Sequence, residues 1–364
     1  MDEYAAALDQ VAGVAVEAKV DAVLVAGDVF DSPAPPPEAE KLVYDLLARL
    51  VSERIPAVLI AGNHDHPRRL GALARLLEGV GVHIRPEVRP AGMGGIVELP
   101  SRDGSERARV AVLPFVPERK VVDACQVLGP EHAWYSEYAR RIEQILSFLA
   151  RDFAPDTVNV VLAHLLISGA RVGTGERPLH LGEIYGVNAE QLPAAAQYVA
   201  LGHLHKPQEL LAPTKAVYPG SLIELDFGER EQEKRVVIVE ARARGQARVE
   251  SVPVTAGRRL RDVAGTLEEL RALSRSGDDA FLRVKVKVEA PLPGIAEEVR
   301  SLLPNALDVS LDYRRLEPAP PSANRRDVPA GELFAEFYRS KHGADPDPRL
   351  RTLFESVYEE ASQP

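Results

Sequence analysis

One cysteine, Cys125, is all the thiol chemistry that this 364-residue chain carries. A lone cysteine cannot close an internal disulfide, and this usage fits a reducing cytoplasm, where the protein is expected to reside. With no activating partner evident, Cys125 reads as a small apolar residue rather than a nucleophile. Long apolar runs are missing too, since no stretch reaches the roughly 18 residues of a membrane span. Nor does a basic segment lead into a short apolar one, so neither a span nor a signal peptide is expected. Positive charge is in deficit. The net charge of −10 gives no global sign of nucleic-acid binding, although a local basic stripe or bound divalent metals can act within an acidic protein.

What is present is 45% hydrophobic residues, ample for a core, in a chain long enough for one large domain with appendages or for two to three domains. Four apolar runs end in polar residues. DAVLVAGD ends at Asp28, and IPAVLIAGNHDH carries Asn63, His64 and Asp65. VNVVLAH ends at His164, and QYVALGHLH carries His203 and His205. Short continuous apolar runs read as strands buried on both faces of a sheet. Polar groups at the ends of such strands converge in the crevice above the sheet, where α/β sites form.

Residues 1 to about 232 alternate strand-like and helix-like stretches, as an α/β layered domain does. Helices are predicted over roughly 38–54 and 134–151, the first after the stiff loop SPAPPP. KRVVIVEARA and ARVESVPV predict a strand pair about a turn at Gly245. A helix, a strand, a helix and a strand then follow in TLEELRAL, AFLRVKVKVEA, IAEEVRSLL and ALDVSLDYRR, a compact βαβ-like module. After a proline-rich break at 317–329, the tail carries two amphipathic helical stretches. Their apolar positions Leu333, Phe334, Phe337 and Tyr338, then Leu350, Leu353, Phe354 and Val357, recur at three and four. Such faces suit docking onto a partner, or folding back on the chain's own core.

GDVFD, GNHD, the isolated His164 and GHLH resemble the motifs of the calcineurin-like metallophosphoesterases. In detail, GDVFDSP, GNHDHPRRL, ERPLHLGEIYGV, YVALGHLHKPQ and YPGSLIELDFGE are similar to the SbcD-type nuclease subunits of SbcCD complexes. The resemblance implies a phosphoesterase domain over 1–232, with central mixed sheets flanked by helices. It further implies accessory strands and a small α+β DNA-capping domain over 233–318, and a helical tail over 328–364 that docks an SbcC-type coiled-coil ATPase. The activity implied is metal-dependent hydrolysis of DNA, as a double-strand exonuclease and single-strand endonuclease, by a homodimer within a heterotetramer. Two alternatives are a non-catalytic DNA-binding or scaffold subunit and a stand-alone phosphodiesterase for small substrates.

Two cations roughly 3.5–4 Å apart neutralise a phosphodiester, acidify a bound water and hold the phosphate in line. The resemblance assigns Asp28 as the bridging carboxylate, Asn63, His164 and His203 to the second metal, and His205 to the first. Imidazole and oxygen donors suit Mn2+, with iron or zinc as alternatives, and two Mn2+ per subunit are implied. His64 is expected to polarise the phosphate or protonate the leaving oxygen. Asp65 is expected to orient His64 or to cap the next helix. Asp31 holds the loop after Asp28 or forms an Asx turn. The family opens with a strand and a D-x-H segment that supplies two ligands of the first metal. No Asp stands two residues before any of the nine histidines here, and the chain starts with the helix that would follow that strand. The upstream DNA is therefore expected to encode, in frame, an apolar strand ending in D-x-H.

His66, His83, His132, His180 and His342 are expected to be structural, with His66 close enough to the catalytic turn to touch substrate. For DNA phosphates the candidates are Arg68 and Arg69 after that turn, and Arg258, Arg259 and Arg261 at the start of the capping module, with Arg314 and Arg315 weaker. Short arginine runs are usually solvated faces, and only their placement around a phosphodiesterase site favours phosphate contact.

Overall fold

Apolar side chains alternate along the strands of two facing sheets, so each sheet buries one face against the other and one face against helices. The structure is a computed structural model that describes residues 1–117, 131–173, 186–275, 277, 279–289, 294–313 and 328–361. The first sheet is parallel and has three strands, in the order β1 (Val23–Val25), β2 (Ala57–Ile60), β3 (Val82–Arg85). The second has six and is mixed. Its central strands are β5 (Arg107–Leu113), β6 (Val158–His164), β9 (Tyr198–Gly202) and β11 (Lys215–Tyr218), all mutually parallel. Its antiparallel edges are β4 (Ile96–Pro100) beside β5 and β10 (Gln208–Leu210) beside β11.

Between the sheets lie Val58 and Ile60 from β2 and Val110, Val112, Val160, Leu162 and Val217 from the second sheet. The alternate residues Leu59, Val82 and Ile84 turn outward onto Ala15 of helix α1 (Asp2–Glu17) and Leu47 and Leu50 of α2 (Pro37–Ser52). Two short helices, α3 (Pro67–Leu70) and α4 (Ala74–Glu78), link β2 to β3. On the far side Ile142, Leu146 and Leu149 of α5 (Glu131–Ala150) cover Leu113, Val161 and Leu201. The layers are helix, sheet, sheet, helix, as expected. α2 starts inside the predicted proline-rich loop, because a proline at the first helical position has its φ already set.

A small pair, β7 (Leu166–Ile167) and β8 (Gly186–Val187), follows β6. The hairpin β12 (Arg235–Glu240) and β13 (Arg248–Pro253) lays Val237, Val239 and Val249 against the core between the sheets. It therefore packs with the first domain, beyond the boundary expected near residue 232. The capping module has its own core. There β14 (Leu260–Gly265), β15 (Phe281–Lys287) and β16 (Ala306–Asp312) form a parallel sheet, and Val284, Val286, Leu270 and Val299 are buried beneath α6 (Leu267–Leu273) and α7 (Ile295–Leu302). A capping box between Thr266 and Glu269 starts α6.

The tail forms α8 (Ala330–His342) and α9 (Pro348–Ala361), joined by stacking of Phe334 on Phe354 at 4.2 Å. Phe337, Leu353 and Val357 stay more than half exposed. No helix among the described residues is long and apolar enough to cross a membrane. Cys125, His180, Arg314 and Arg315 lie outside the described residues, as does the side chain of His132.

Candidate metal centre

Parallel pairing of β6 with β9 sets His164 opposite Gly202, so His203, the next residue, leaves the sheet beside it. Asp28 and Asn63 follow the ends of β1 and β2 in the facing sheet. Asp28 and His203 both adopt positive φ, at 49° and 110°, a conformation that side chains other than glycine rarely hold. Gly62 and Gly202 let the loops close in: a Cβ on Gly62 would overlap Asp28, and one on Gly202 would overlap the Ala26 carbonyl. These two contacts explain why glycine precedes both histidine motifs.

His164, fully buried, donates from Nδ1 to the Ala26 carbonyl at 2.7 Å. Its Nε2 is then 2.9 Å from Asn63 Oδ1 and 3.4 Å from Asp28 Oδ2. His203 Nδ1 is also 2.9 Å from Asn63 Oδ1. Ligand atoms of Asp28, His164 and His203 all lie within 4.8 Å of one another. So many acceptor atoms facing each other require positive charge among them. Burial opposes charge on the His164 ring, but Asp28 alongside raises its pKa. Burial likewise pushes Asp28 up, but the charge of His164 and its hydrogen bond, with His64, hold it far below the usual carboxylate range. A divalent cation fits the same place, and this set of one carboxylate, one amide oxygen and two imidazoles suits first-row divalent metals.

Asp65 neither orients His64 nor caps a helix. Its carboxylate accepts from the backbone N–H groups of Gly62, Val29 and Phe30 at 2.8, 3.1 and 3.0 Å, pinning the Asp28 loop to the Asn63 turn. Burial raises its pKa, and these three donors pull it back. The cap of α3 is His66, whose ring accepts from Arg69 N–H. His64 is oriented instead by Asp31, with Nδ1 3.1 Å from the Asp31 carbonyl oxygen and 3.5 Å from its carboxylate. His64 N–H also donates to Asp28 Oδ1 at 2.9 Å, tying the turn to the carboxylate.

His205 stands outside the Asp28–His164–His203 group. Its Nδ1 is 2.9 Å from Oε1 of Glu229, which is fully buried and pairs through Oε2 with the equally buried Lys234 at 2.8 Å. Ser221 Oγ and Leu225 N–H donate to the same carboxylate. Burial raises the Glu229 pKa, but His205 and Lys234 bring it down to about 2. Glu229 and Lys234 were not singled out from sequence, because no motif marks them: Glu229 sits in the charge-rich GERE and Lys234 opens the predicted strand KRVVIVEARA. Only the likeness of ELDFGE to a family segment pointed there.

Three of the expected DNA-contacting arginines have other partners. Arg69 pairs with Glu40 at 2.8 Å, and Arg258 pairs with Glu3 at 2.7 Å and lies over the Phe281 ring. Arg259 pairs with the buried Glu224 at 2.9 Å. These pairs tie the capping module to α1 and to the loop after β11. Arg68 is exposed at the start of α3, and Arg261 lies in β14. His83 pairs with Glu78, and the His342 ring packs on Tyr338.

A calcineurin-like phosphoesterase family model matches residues 1–207. The chain is also 31% identical over 366 residues to the SbcD subunit of nuclease SbcCD from Bacillus subtilis, covering 97% of this chain and 92% of that one. It belongs to the SbcD family of calcineurin-like phosphoesterases. The Rhodobacter capsulatus protein of the same name is 34% identical over 219 residues, covering 57% of this chain and 54% of that one. A family model described as a type 5 capsule protein repressor C-terminal domain matches residues 256–342, a span that takes in the capping module and α8. Among solved structures, the one titled TT1561 of Thermus thermophilus is 17% identical, with a TM-score of 0.38, over 68% of this chain and 92% of that one. As an SbcD-family phosphoesterase, the chain places its family motifs at the ends of buried strands from both sheets.

Proposed function

We propose that the chain is the nuclease subunit of an SbcCD-type complex and hydrolyses DNA phosphodiesters with Mn2+. The observation that carries this is Asn63 Oδ1, 2.9 Å from both His164 Nε2 and His203 Nδ1 with Asp28 alongside. Asp28, Asn63, His164 and His203 would hold one divalent cation, and Asp28 and His205 would contribute to a second. Such cations neutralise the phosphate and acidify water.

The protein's own part is positioning and proton transfer. His164 is fixed by its bond to Ala26, and His205 by Glu229, the outer partner that sets an imidazole's tautomer and direction. His64 donates Nδ1–H to the Asp31 carbonyl, so Nε2 is the nitrogen left for a substrate oxygen. A proton taken up there makes the ring a donor to the leaving oxygen, with the Asp31 carboxylate beside the cation that forms. The exposed side chains of α8 and α9 give a coiled-coil ATPase subunit an apolar surface to dock on, and the working assembly is a cytoplasmic homodimer bound to that partner.

The test is cleavage of end-labelled duplex and single-stranded DNA by the purified chain with Mn2+. Since Asp28 and His205 are the ligands this chain offers the second cation, wild type should hold about one Mn2+ tightly by calorimetry, and His164→Asn and Asn63→Ala should lose that Mn2+ together with any cutting. Wild-type protein that binds no Mn2+ would defeat the reading.

A further inference from the structure

Beside the edge strand β10 and its neighbour β11, under the β12–β13 hairpin, is a cavity of about 410 Å³. Its polar lining includes Arg171, Gln208, Glu209, Arg235 and Ser251. Arg235 points to the same face of the hairpin as Val237 and Val239, which pack onto the core. Its Nε is buried with no hydrogen-bond partner, and it is the one such side-chain atom found among the described residues. A buried donor left unmatched costs about 1–3 kcal/mol, more when charged. Arg171 is held at the cavity by its backbone. Its N–H donates to Gln208 Oε1 and its carbonyl accepts from Gln208 Nε2, both at 2.8 Å. Glu209 is the acidic residue of the lining, and it is engaged by Lys215. In a chain with an excess of ten negative charges, two guanidiniums thus share a cavity with no carboxylate paired to either among the described residues.

The cavity is also in a telling place. β11 runs parallel to β9, and β10 returns antiparallel with Gln208 opposite Tyr218, the last residue of β11. Gln208 is therefore at the sheet end from which His203 emerges. Arg171 comes from the segment after His164 and β7, at the same end.

From these observations we infer that Arg171 and Arg235 form a phosphate subsite, which takes a backbone phosphate of the nucleic-acid strand that reaches the metal centre. Paired guanidiniums present forked donors that match phosphate oxygens. The strand assignment rests on the nuclease reading, whereas the anion site does not.

The experiment uses the full chain without metal and a short fluorescent single-stranded oligonucleotide, with anisotropy measured over a range of salt. Arg171→Gln with Arg235→Gln should weaken binding about tenfold or more, and should lower the salt slope by about one to two contacts. Inorganic phosphate should raise the Tm of wild type but not of the double variant. Arg171→Gln alone, at an exposed position, should remove about one contact from the slope even where the double variant fails to fold. Unchanged affinity and slope in the variants would overturn the subsite. Phosphate protection with unchanged oligonucleotide binding would overturn the strand assignment. Mn2+-dependent hydrolysis of bis(p-nitrophenyl) phosphate, too small to span both places, reports on the metal centre separately. Its absence in wild type would sink the nuclease reading while leaving the anion site standing, and its rate should be equal in the arginine variants.

Discussion

Asp65 and His64 are adjacent, yet Asp65 spends its carboxylate on three backbone N–H groups while His64 takes its orientation from Asp31 across the turn. The two carboxylates should therefore fail in opposite ways. Asp65→Ala strands three donors in a largely buried site, at about 1–3 kcal/mol each, so unfolding free energy should drop by about 3 kcal/mol or more. Asp31→Ala removes an exposed carboxylate and should cost under about 1 kcal/mol. The Asp31 carbonyl bond to His64 survives that change, so cleavage should slow by only about tenfold. Denaturant melts beside single-turnover rates decide it: a stable Asp65→Ala protein would refute the clamp.

Much of this site was legible because its residues lie at the ends of strands that are apolar throughout, and such strands have few places to be but a sheet interior. α2 and α5 were visible as well, as helical stretches at roughly 38–54 and 134–151. Pairings between distant segments were not. Nothing local ties Asp31 to His64 or Lys234 to His205; they meet because β1, β2, β9 and the loop after β11 end at one place. β14 was hidden as well. Its sequence LRDVAG follows Arg258 and Arg259, and the charges read as a surface run until pairing with β15 makes it an edge strand. The same arginines, read as phosphate contacts, turn out to hold Glu3 and Glu224.

Lys234 and Glu229 form a buried pair, so breaking it from one side leaves a charge without a counterion. Lys234→Met should destabilise the fold by about 3–5 kcal/mol, whereas Glu229→Gln with Lys234→Met removes both charges and should recover much of that loss. Chemical denaturation of wild type, single and double variants gives the coupling. Equal losses in the single and double variants would mean the pair carries no such coupling.

Glu78, at the end of α4, accepts from Arg85 at 2.8 Å through both oxygens and from His83 at 2.8 Å. The Arg85 hydrogen bond does most to lower its pKa; burial opposes it, and His83 adds to it, leaving the group at about 2 against an ordinary 4.5. A carboxylate depressed in the folded state stabilises above its unfolded pKa and loses that contribution as pH falls through the folded one. Glu78→Gln should therefore have a lower Tm than wild type at pH 7. The gap should hold down to about pH 4.5 and close toward pH 2. A gap that is the same at pH 7 and pH 2.5 would show that the pair contributes no charge-dependent stability.

Gly62 separates the structural from the chemical demands on the centre. A methyl group there would overlap both the Asp28 carboxylate and its backbone nitrogen, and backbone cannot swing aside as a flexible side chain can. Gly62→Ala must therefore push the Asp28 loop away from the Asn63 turn. Asp65, which accepts from Gly62 N–H, Val29 N–H and Phe30 N–H together, resists that separation, so the strain falls on the site itself. Mn2+ affinity should fall about tenfold or more by calorimetry, since a displacement of a few tenths of an ångström at several ligands already costs a metal its geometry. Gly13, by contrast, sits in α1 with open space around its Cα, and Gly13→Ala should leave Mn2+ binding unchanged and raise the Tm slightly through helix propensity. Full Mn2+ affinity in Gly62→Ala would mean that the Asp28 and Asn63 loops do not need this close approach to hold a cation.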